Sequence, residues 1–173
     1  EVPLEDGGAC NLGSLNLSRF VDDGYENHAK INWDQLAEST AILVRFLDNV
    51  VTWNEDLNAL EKQRIAASET RRLGIGIMGI ADMLNQLGIS YDCKEGIEII
   101  TKVMEFITNA AYQASASLAG EKGASPIFSE EEYMQCPFIE EALSHETQNL
   151  IRENGIRNIA IMSIAPTGSI SNI

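Results

Sequence analysis

The sequence predicts a mixed α/β fold with abundant helix, and three observations carry that reading. Two long stretches, opening near Asn32 and Asp92, repeat apolar residues at three- and four-residue steps, the period of a helix with one buried face. Two short apolar runs, residues 12–20 and 159–164, are bounded by turn residues and have the length of strands. A third short run, punctuated by Gly74, Gly76 and Gly79, passes from strand to helix.

Residues 12–20 read as a short strand running into a turn, and Asp22-Asp23-Gly24 marks the polar turn over 21–30. The first helix has a full start signal. Asn32 is a fitting N-cap, Gln35 stands at N3, and Ile31 and Leu36 occupy the hydrophobic-staple positions. Leu36, Thr40, Leu43, Leu47 and Val50 then define one buried face, out to about Trp53. Arg45, Asp48 and Asn49 lie on the same helix and are expected to be solvated, as charged groups on a partly exposed face usually are. Residues 57–70 form a second, more polar helical stretch. Gly88 closes a helix over 81–87 as a left-handed C-terminal residue. Asp92 with Glu95 three places on is an Asp form of the capping box and opens the longest helix. Its stripe of Ile97, Ile100, Met104, Ile107, Ala111, Ala114 and Leu118 gives way to Ala and Ser over 110–119, which predicts close packing; Gly120 and Gly123 end it. A coiled-coil seam is disfavoured, because only about three heptads are present and no matched charges flank them. Ser129 with Glu132 starts another helix, and 144–153 is a polar helix ending at Asn154-Gly155. Residues 159–164 are nearly all apolar, as expected of a strand covered on both faces.

With 173 residues and 45% hydrophobic content, the chain supports one core of ordinary size. No apolar run approaches the roughly 18 residues of a membrane span, and no basic n-region leads an apolar h-region, so no signal peptide is expected. Three cysteines, Cys10, Cys93 and Cys136, form no CxxC pair and show no metal-type spacing. That count argues against a disulfide framework or zinc site and fits a reducing cytoplasm; Cys93 and Cys136 are given no role. A net charge of −14 disfavours nonspecific nucleic-acid binding, while leaving room for a nucleotide site built from backbone N–H groups. His28 and His145 stand apart from any Ser or Cys arrangement, so no hydrolytic triad is supported.

Three stretches bear on chemistry. Gly74, Gly76 and Gly79 satisfy G-x-G-x-x-G, but the dinucleotide fingerprint needs a strand before it and an acid ending the strand after it. Here a polar helical stretch ending in Arg71-Arg72 precedes the glycines, and Glu98, about twenty residues on, falls inside a helix pattern. Close backbone approach is the better reading of these glycines. At the C-terminal end, Pro166-Thr-Gly-Ser-Ile-Ser171 follows an apolar run and offers N–H groups and hydroxyls to a phosphate without a Lys; an ordinary strand-to-helix turn is the alternative. At the N-terminal end, a Pro- and Gly-containing connector joins Glu1 to Cys10, a length that lets a carboxylate meet a thiol. There the alternative is a frayed acid and a cysteine buried as a small hydrophobe.

Cys10-Asn-Leu-Gly-Ser-Leu-Asn-Leu17, with Glu1 nine positions before the cysteine and Pro3-Leu4 soon after that acid, resembles the catalytic subunit of ribonucleotide reductases. Four further stretches resemble the family in the same order: Arg45-Phe-Leu-Asp-Asn-Val50, the run from Arg71 to Asp82, Lys122-Gly-Ala-Ser-Pro-Ile-Phe128, and Ala165-Pro-Thr-Gly-Ser-Ile-Ser171. Only residues 129–153 lack a match. The resemblance implies a helix-rich part of the ten-stranded α/β barrel of ribonucleotide reductases, with residues 1–173 as a single, incomplete segment of it.

It also implies roles. Glu1 would end an Asn-x-Cys-x-Glu motif and act as general base on the ribose 3′ hydroxyl, after a thiyl radical upstream of it takes the 3′ hydrogen. Cys10 would be one of two thiols that reduce the intermediate and become a disulfide. Asn11, Pro166, Thr167, Gly168, Ser169 and Ser171 would bind substrate, the last five by holding its phosphates. The short Glu-to-Cys connector resembles the adenosylcobalamin-dependent class II enzymes more than class I, which stays an alternative. The implied partners are a ribonucleotide substrate, an external dithiol reductant such as thioredoxin, and further copies of the full-length protein, in the cytoplasm and away from nucleic acid and membrane. The 173 residues alone are expected to be inactive. A noncatalytic nucleotide-binding α/β module and a nicotinamide-dependent dehydrogenase are the competing readings.

Overall fold

The computed structural model describes residues 3–172, ordered around three parallel extended segments. β1 (Asn11–Asn16) runs into a 3-10 turn at Leu17–Phe20, where Asn16 Oδ1 accepts from Ser18 N–H at 3.2 Å. β2 (Val21–Asp22) and β3 (Lys30–Ile31) pair as a small antiparallel hairpin inside the stretch read as a polar turn. α1 (Trp33–Asn54) opens as its cap signal predicts, with Asn32 Oδ1 accepting from Gln35 N–H at 3.0 Å. The Asn32 N–H donates instead to Phe20 O at 2.8 Å, tying the helix start to the 3-10 turn.

α2 (Glu61–Thr70) ends on Arg71, whose left-handed backbone (φ 48°) swings the chain into β4 (Leu73–Met78). α3 (Ile80–Gln86) follows Gly79 and is closed by Gly88, left-handed as expected. α4 (Lys94–Lys122) departs from its sequence reading at the cap. Cys93, not Asp92, is the N-cap, its Sγ accepting from Gly96 N–H at 3.3 Å, while Asp92 accepts from the Ser90 hydroxyl. Ile97 lies exposed, and the buried face runs instead through Val103, Ile107, Ala111, Ala116 and Leu118; Gly120 stays inside the helix and Gly123 ends it. α5 (Glu130–Met134), α6 (Pro137–Ala142) and α7 (His145–Asn154) complete the helices, the last capped by Ser144 Oγ. No helix among the described residues is long and apolar enough to cross a membrane.

β4 is the middle of the sheet. β1 pairs with it in parallel, from Asn11 opposite Leu73 to Asn16 opposite Met78. On its other edge Leu73 N–H donates to Ala160 O at 2.8 Å, Ile75 N–H to Ile161 O at 2.7 Å, and Ser163 N–H to Ile75 O at 2.9 Å. Between the first two bonds β4 advances two residues and its partner one, a bulge that leaves a single parallel bridge, Ile75 with Met162.

The alternation in Leu73-Gly-Ile-Gly-Ile77 decides which way the sheet faces. Leu73, Ile75 and Ile77 all point to one side, where they pack with Leu15, with Val44 and Leu47 of α1 and with Ile107 and Ala111 of α4. The other side is bare backbone at Gly74 and Gly76. The expectation that 159–164 is covered on both faces therefore fails: Ile161 and Ser163 are buried, but Ile164 is 58% exposed.

Asp48 also departs from expectation. It sits four residues after Val44 and three before Val51, on the buried stripe of α1, and is fully buried. Its Oδ1 accepts from Arg71 Nε at 2.9 Å and Asn158 Nδ2 at 3.1 Å, with Arg157 Nε at 3.4 Å and Lys122 Nζ at 3.5 Å from the carboxylate. Burial alone would raise the Asp48 carboxyl; Arg71 and Arg157 outweigh it and hold the group below the usual carboxylate range. Arg45 and Asn49 remain exposed, Arg45 gripping Glu121 through two hydrogen bonds.

Candidate functional site

Cys10 stands just before β1, on the face that strand alternation shares among Leu12, Ser14 and, across the pairing, Gly74 and Gly76. The glycines are required there. A Cβ at Gly74 would lie 2.4 Å from Leu12 Cδ2, 3.0 Å from Cys10 Sγ and 3.2 Å from Ser163 Cβ. One at Gly76 would lie 2.5 Å from the carbonyl oxygen of Ser163. Close approach of neighbours is thus what these residues provide. Gly74 and Gly76 stand in mid-strand and only Gly79 (φ 74°) reaches the strand-to-helix turn, so the dinucleotide geometry is absent from this run.

The connector before Cys10 is fixed at two points. Gly7 (φ 85°) makes a tight turn in which Gly8 N–H donates to Glu5 O at 2.8 Å. Glu5 Oε2 accepts from Arg72 Nε at 2.9 Å, and Asp6 pairs with Lys62 of α2. Burial raises the Glu5 carboxyl, but a backbone hydrogen bond and Arg72 together bring it below its ordinary value. Glu1, the expected general base, lies outside the described residues.

After Ser163 the chain turns back over β1. Leu12, Gly13 and Ser14 line one cavity of about 260 Å³ with Ala165, Pro166, Thr167, Gly168, Ser169 and Ile170. Thr167 holds a left-handed backbone (φ 57°), unusual for a β-branched residue and a mark of local strain. The loop is braced from within: Ser171 N–H donates to Thr167 O at 2.9 Å, and both Ser171 Oγ and Asn172 Nδ2 donate to Gly168 O. The structure thus brings Pro166, Thr167, Gly168 and Ser169 to the strand that starts beside Cys10. Ser171 spends its hydroxyl on the loop itself, and Asn11 alternates to the other face of β1 with Gly13 and Leu15.

One residue of this region went unread in the sequence. Ser163 is 7% exposed, and its hydroxyl is buried with no hydrogen-bond partner among the described residues. Its signal was there: it is the sole hydroxyl in the apolar run 159–164.

A cavity of about 260 Å³ has the scale of a phosphate with part of a sugar and lies below the roughly 300–1,000 Å³ of ordinary small-molecule pockets. It does not fit a corrin. Among the described residues no group of three or more His, Cys, Asp or Glu side chains is placed to hold a metal ion.

The profile of the family described as "Ribonucleotide reductase, barrel domain" matches residues 1–173. A vitamin B12-dependent ribonucleoside-diphosphate reductase of Mycobacterium tuberculosis is 38% identical over 175 residues, covering all of this chain and 22% of that protein. One of the same description from Thermoplasma acidophilum is also 38% identical, over all of this chain and 20% of its own length. The ribonucleoside-diphosphate reductase subunit alpha of Helicobacter pylori is 34% identical, over 94% of this chain and 21% of that protein. The chain therefore spans about a fifth of the length of these curated relatives. Among solved structures, the class Id ribonucleotide reductase alpha subunit of Actinobacillus ureae shares the fold, with TM-score 0.64, 23% identity, and coverage of 94% of this chain and 25% of that one.

Proposed function

Because this chain belongs to the ribonucleotide reductase barrel-domain family, we propose that it supplies one segment of a longer polypeptide's catalytic barrel, which reduces ribonucleotides to 2′-deoxyribonucleotides for DNA synthesis. The observation that carries the proposal is the shared cavity: residues 165–170 fold onto Leu12, Gly13 and Ser14, on the strand that begins just after Cys10.

In this reading the loop holds the phosphates. No Lys or Arg lines the cavity, so the N–H groups of the turn and the hydroxyls of Thr167 and Ser169 supply the donors. A thiyl radical elsewhere in the polypeptide removes the 3′ hydrogen, Glu1 takes the 3′ hydroxyl proton, and the 2′ hydroxyl leaves as water. Cys10 and a second thiol each contribute one electron and one hydrogen to the ketone-like intermediate, forming a disulfide, and the upstream thiol gives back the 3′ hydrogen, becoming a thiyl radical again; an external dithiol such as thioredoxin then reduces the disulfide. The names of the 38%-identical relatives support adenosylcobalamin as radical source and a diphosphate substrate. The corrin would be seated by other parts of the polypeptide, since the cavity here does not fit it. A cytoplasmic, homo-oligomeric full-length enzyme completes the proposal, and the 173 residues alone would not turn over.

The test is Cys10→Ser in the full-length protein. Multiple turnover with the dithiol system should vanish while ribonucleotide binding persists. Normal multiple turnover would overturn the assignment and favour a noncatalytic nucleotide-binding role.

A further inference from the structure

We propose that Ser163 is a positioning residue for Cys10: its hydroxyl donates a hydrogen bond to the sulfur once that thiol ionises. The proposal takes its functional meaning from the reading of Cys10 as a reducible thiol, while the placement of the two side chains is a matter of geometry. Ser163 Cβ and Cys10 Sγ border the same notch, lying 3.2 Å and 3.0 Å from the point where Gly74 lacks a Cβ. Leu12 Cδ2 borders the same notch, 2.4 Å from that point.

The Ser163 hydroxyl is buried and, among the described residues, unpaired, a state native proteins rarely leave without a reason. A ligand in the phosphate cavity is not the evident partner, because Ser14 and residues 165–170 line that cavity and Ser163 does not. The main chain around it is also engaged: Ser163 N–H donates to Ile75 O, completing the sheet. The sulfur across the notch remains. A neutral thiol is a weak acceptor, whereas a thiolate is a strong one. Rotation about the single Cα–Cβ bond, among staggered positions, is what would turn the hydroxyl toward the notch. The donor thus gains its full partner only in the charged state, the state in which a thiol attacks a disulfide. Ionisation releases the Cys10 proton to solvent, and no electron moves in this step.

Among the described residues, the charged groups at this end of the sheet include Arg72, at the head of β4, and Glu5 on the connector, paired with each other; beyond them Asp6 pairs with Lys62. Changing Ser163 alters none of them.

The test measures alkylation of Cys10 by iodoacetamide against pH in the full-length protein, with the Cys10 peptide quantified by mass spectrometry. Ser163→Ala should slow alkylation at pH 7 by roughly tenfold, the scale of one hydrogen bond to a charged group, and move the profile to higher pH. Ser163→Thr keeps the hydroxyl and should restore most of the rate. A Ser163→Ala profile superimposed on the parent's overturns the proposal, as does a shift that Ser163→Thr fails to reverse, which would mark a packing effect. The assay reads the thiol without turnover, so this result stands apart from the fate of Cys10→Ser in the reductase assay.

Discussion

Removing the Asp48 carboxylate should be among the most damaging single changes in the molecule. Asp48 is fully buried and faces three cations, Arg71 at 2.9 Å, Arg157 at 3.4 Å and Lys122 at 3.5 Å. Breaking a buried ion pair from one side costs about 3–5 kcal/mol, because the remaining charge loses its partner. Arg71, itself 3% exposed, would keep Glu55 at 2.8 Å, the Thr52 hydroxyl at 2.6 Å and the backbone oxygen of residue 48 at 3.0 Å. Those bonds place Asp48→Ala near the lower end, about 3 kcal/mol, a large share of the ~5–15 kcal/mol that holds a domain folded. Asp48→Asn keeps an acceptor oxygen and should cost about 2 kcal/mol, the scale of a charge-assisted hydrogen bond. The assay is urea unfolding followed by circular dichroism at pH 7, with slope unchanged and midpoint lowered. The pH dependence has a definite sign. The folded-state carboxyl titrates below its unfolded value, so its contribution is complete above about pH 4 and fades as pH falls through the folded value. The gap between the parent and Asp48→Asn should therefore narrow in acid. A loss for Asp48→Ala smaller than about 0.5 kcal/mol, the range of ordinary surface substitutions, would refute the reasoning.

Three further predictions concern the sheet and the loop. Gly76→Ala drives a Cβ to 2.5 Å from the Ser163 carbonyl oxygen, a main-chain atom that cannot swing aside; a loss of about 1–3 kcal/mol is expected in the same unfolding assay. Nicotinamide cofactor should bind neither parent nor variant by fluorescence titration, and binding to the parent would revive the dehydrogenase reading. Thr167→Val in the full-length protein should raise the Kd for ribonucleotide about tenfold by equilibrium dialysis, as loss of one bond to a charged phosphate does; an unchanged Kd would remove Thr167 from the phosphate site.

What the sequence made legible was mostly local. The Asn32 cap, the left-handed Gly88 and the Ser144 helix are short-range features, and each forms where its residues place it. The α4 cap was misassigned because Asp is a far commoner N-cap than Cys, and the Ser90 hydroxyl had already engaged Asp92. Asp48 was misread for a different reason: its partners Arg71, Lys122, Arg157 and Asn158 come from three remote parts of the chain. Its position on the apolar stripe between Val44 and Val51 was the available warning. For the candidate site, the Thr167 loop and Cys10 were legible as motifs. The unpaired hydroxyl of Ser163 was not, since it depends on a strand pairing that passes through a bulge.

The placement of β4 sets a timetable for folding. Its neighbours in the sheet come from opposite ends of the described chain, β1 well before it and residues 159–163 well after. Such long-separated parallel pairings form slowly, because closing the intervening chain costs entropy before any contact repays it. On the ribosome, Cys10 and the bare glycines would emerge long before the loop at Thr167 can meet them, so the cavity is among the last features to assemble. A nascent chain halted ahead of residue 160 carries the thiol without the pocket.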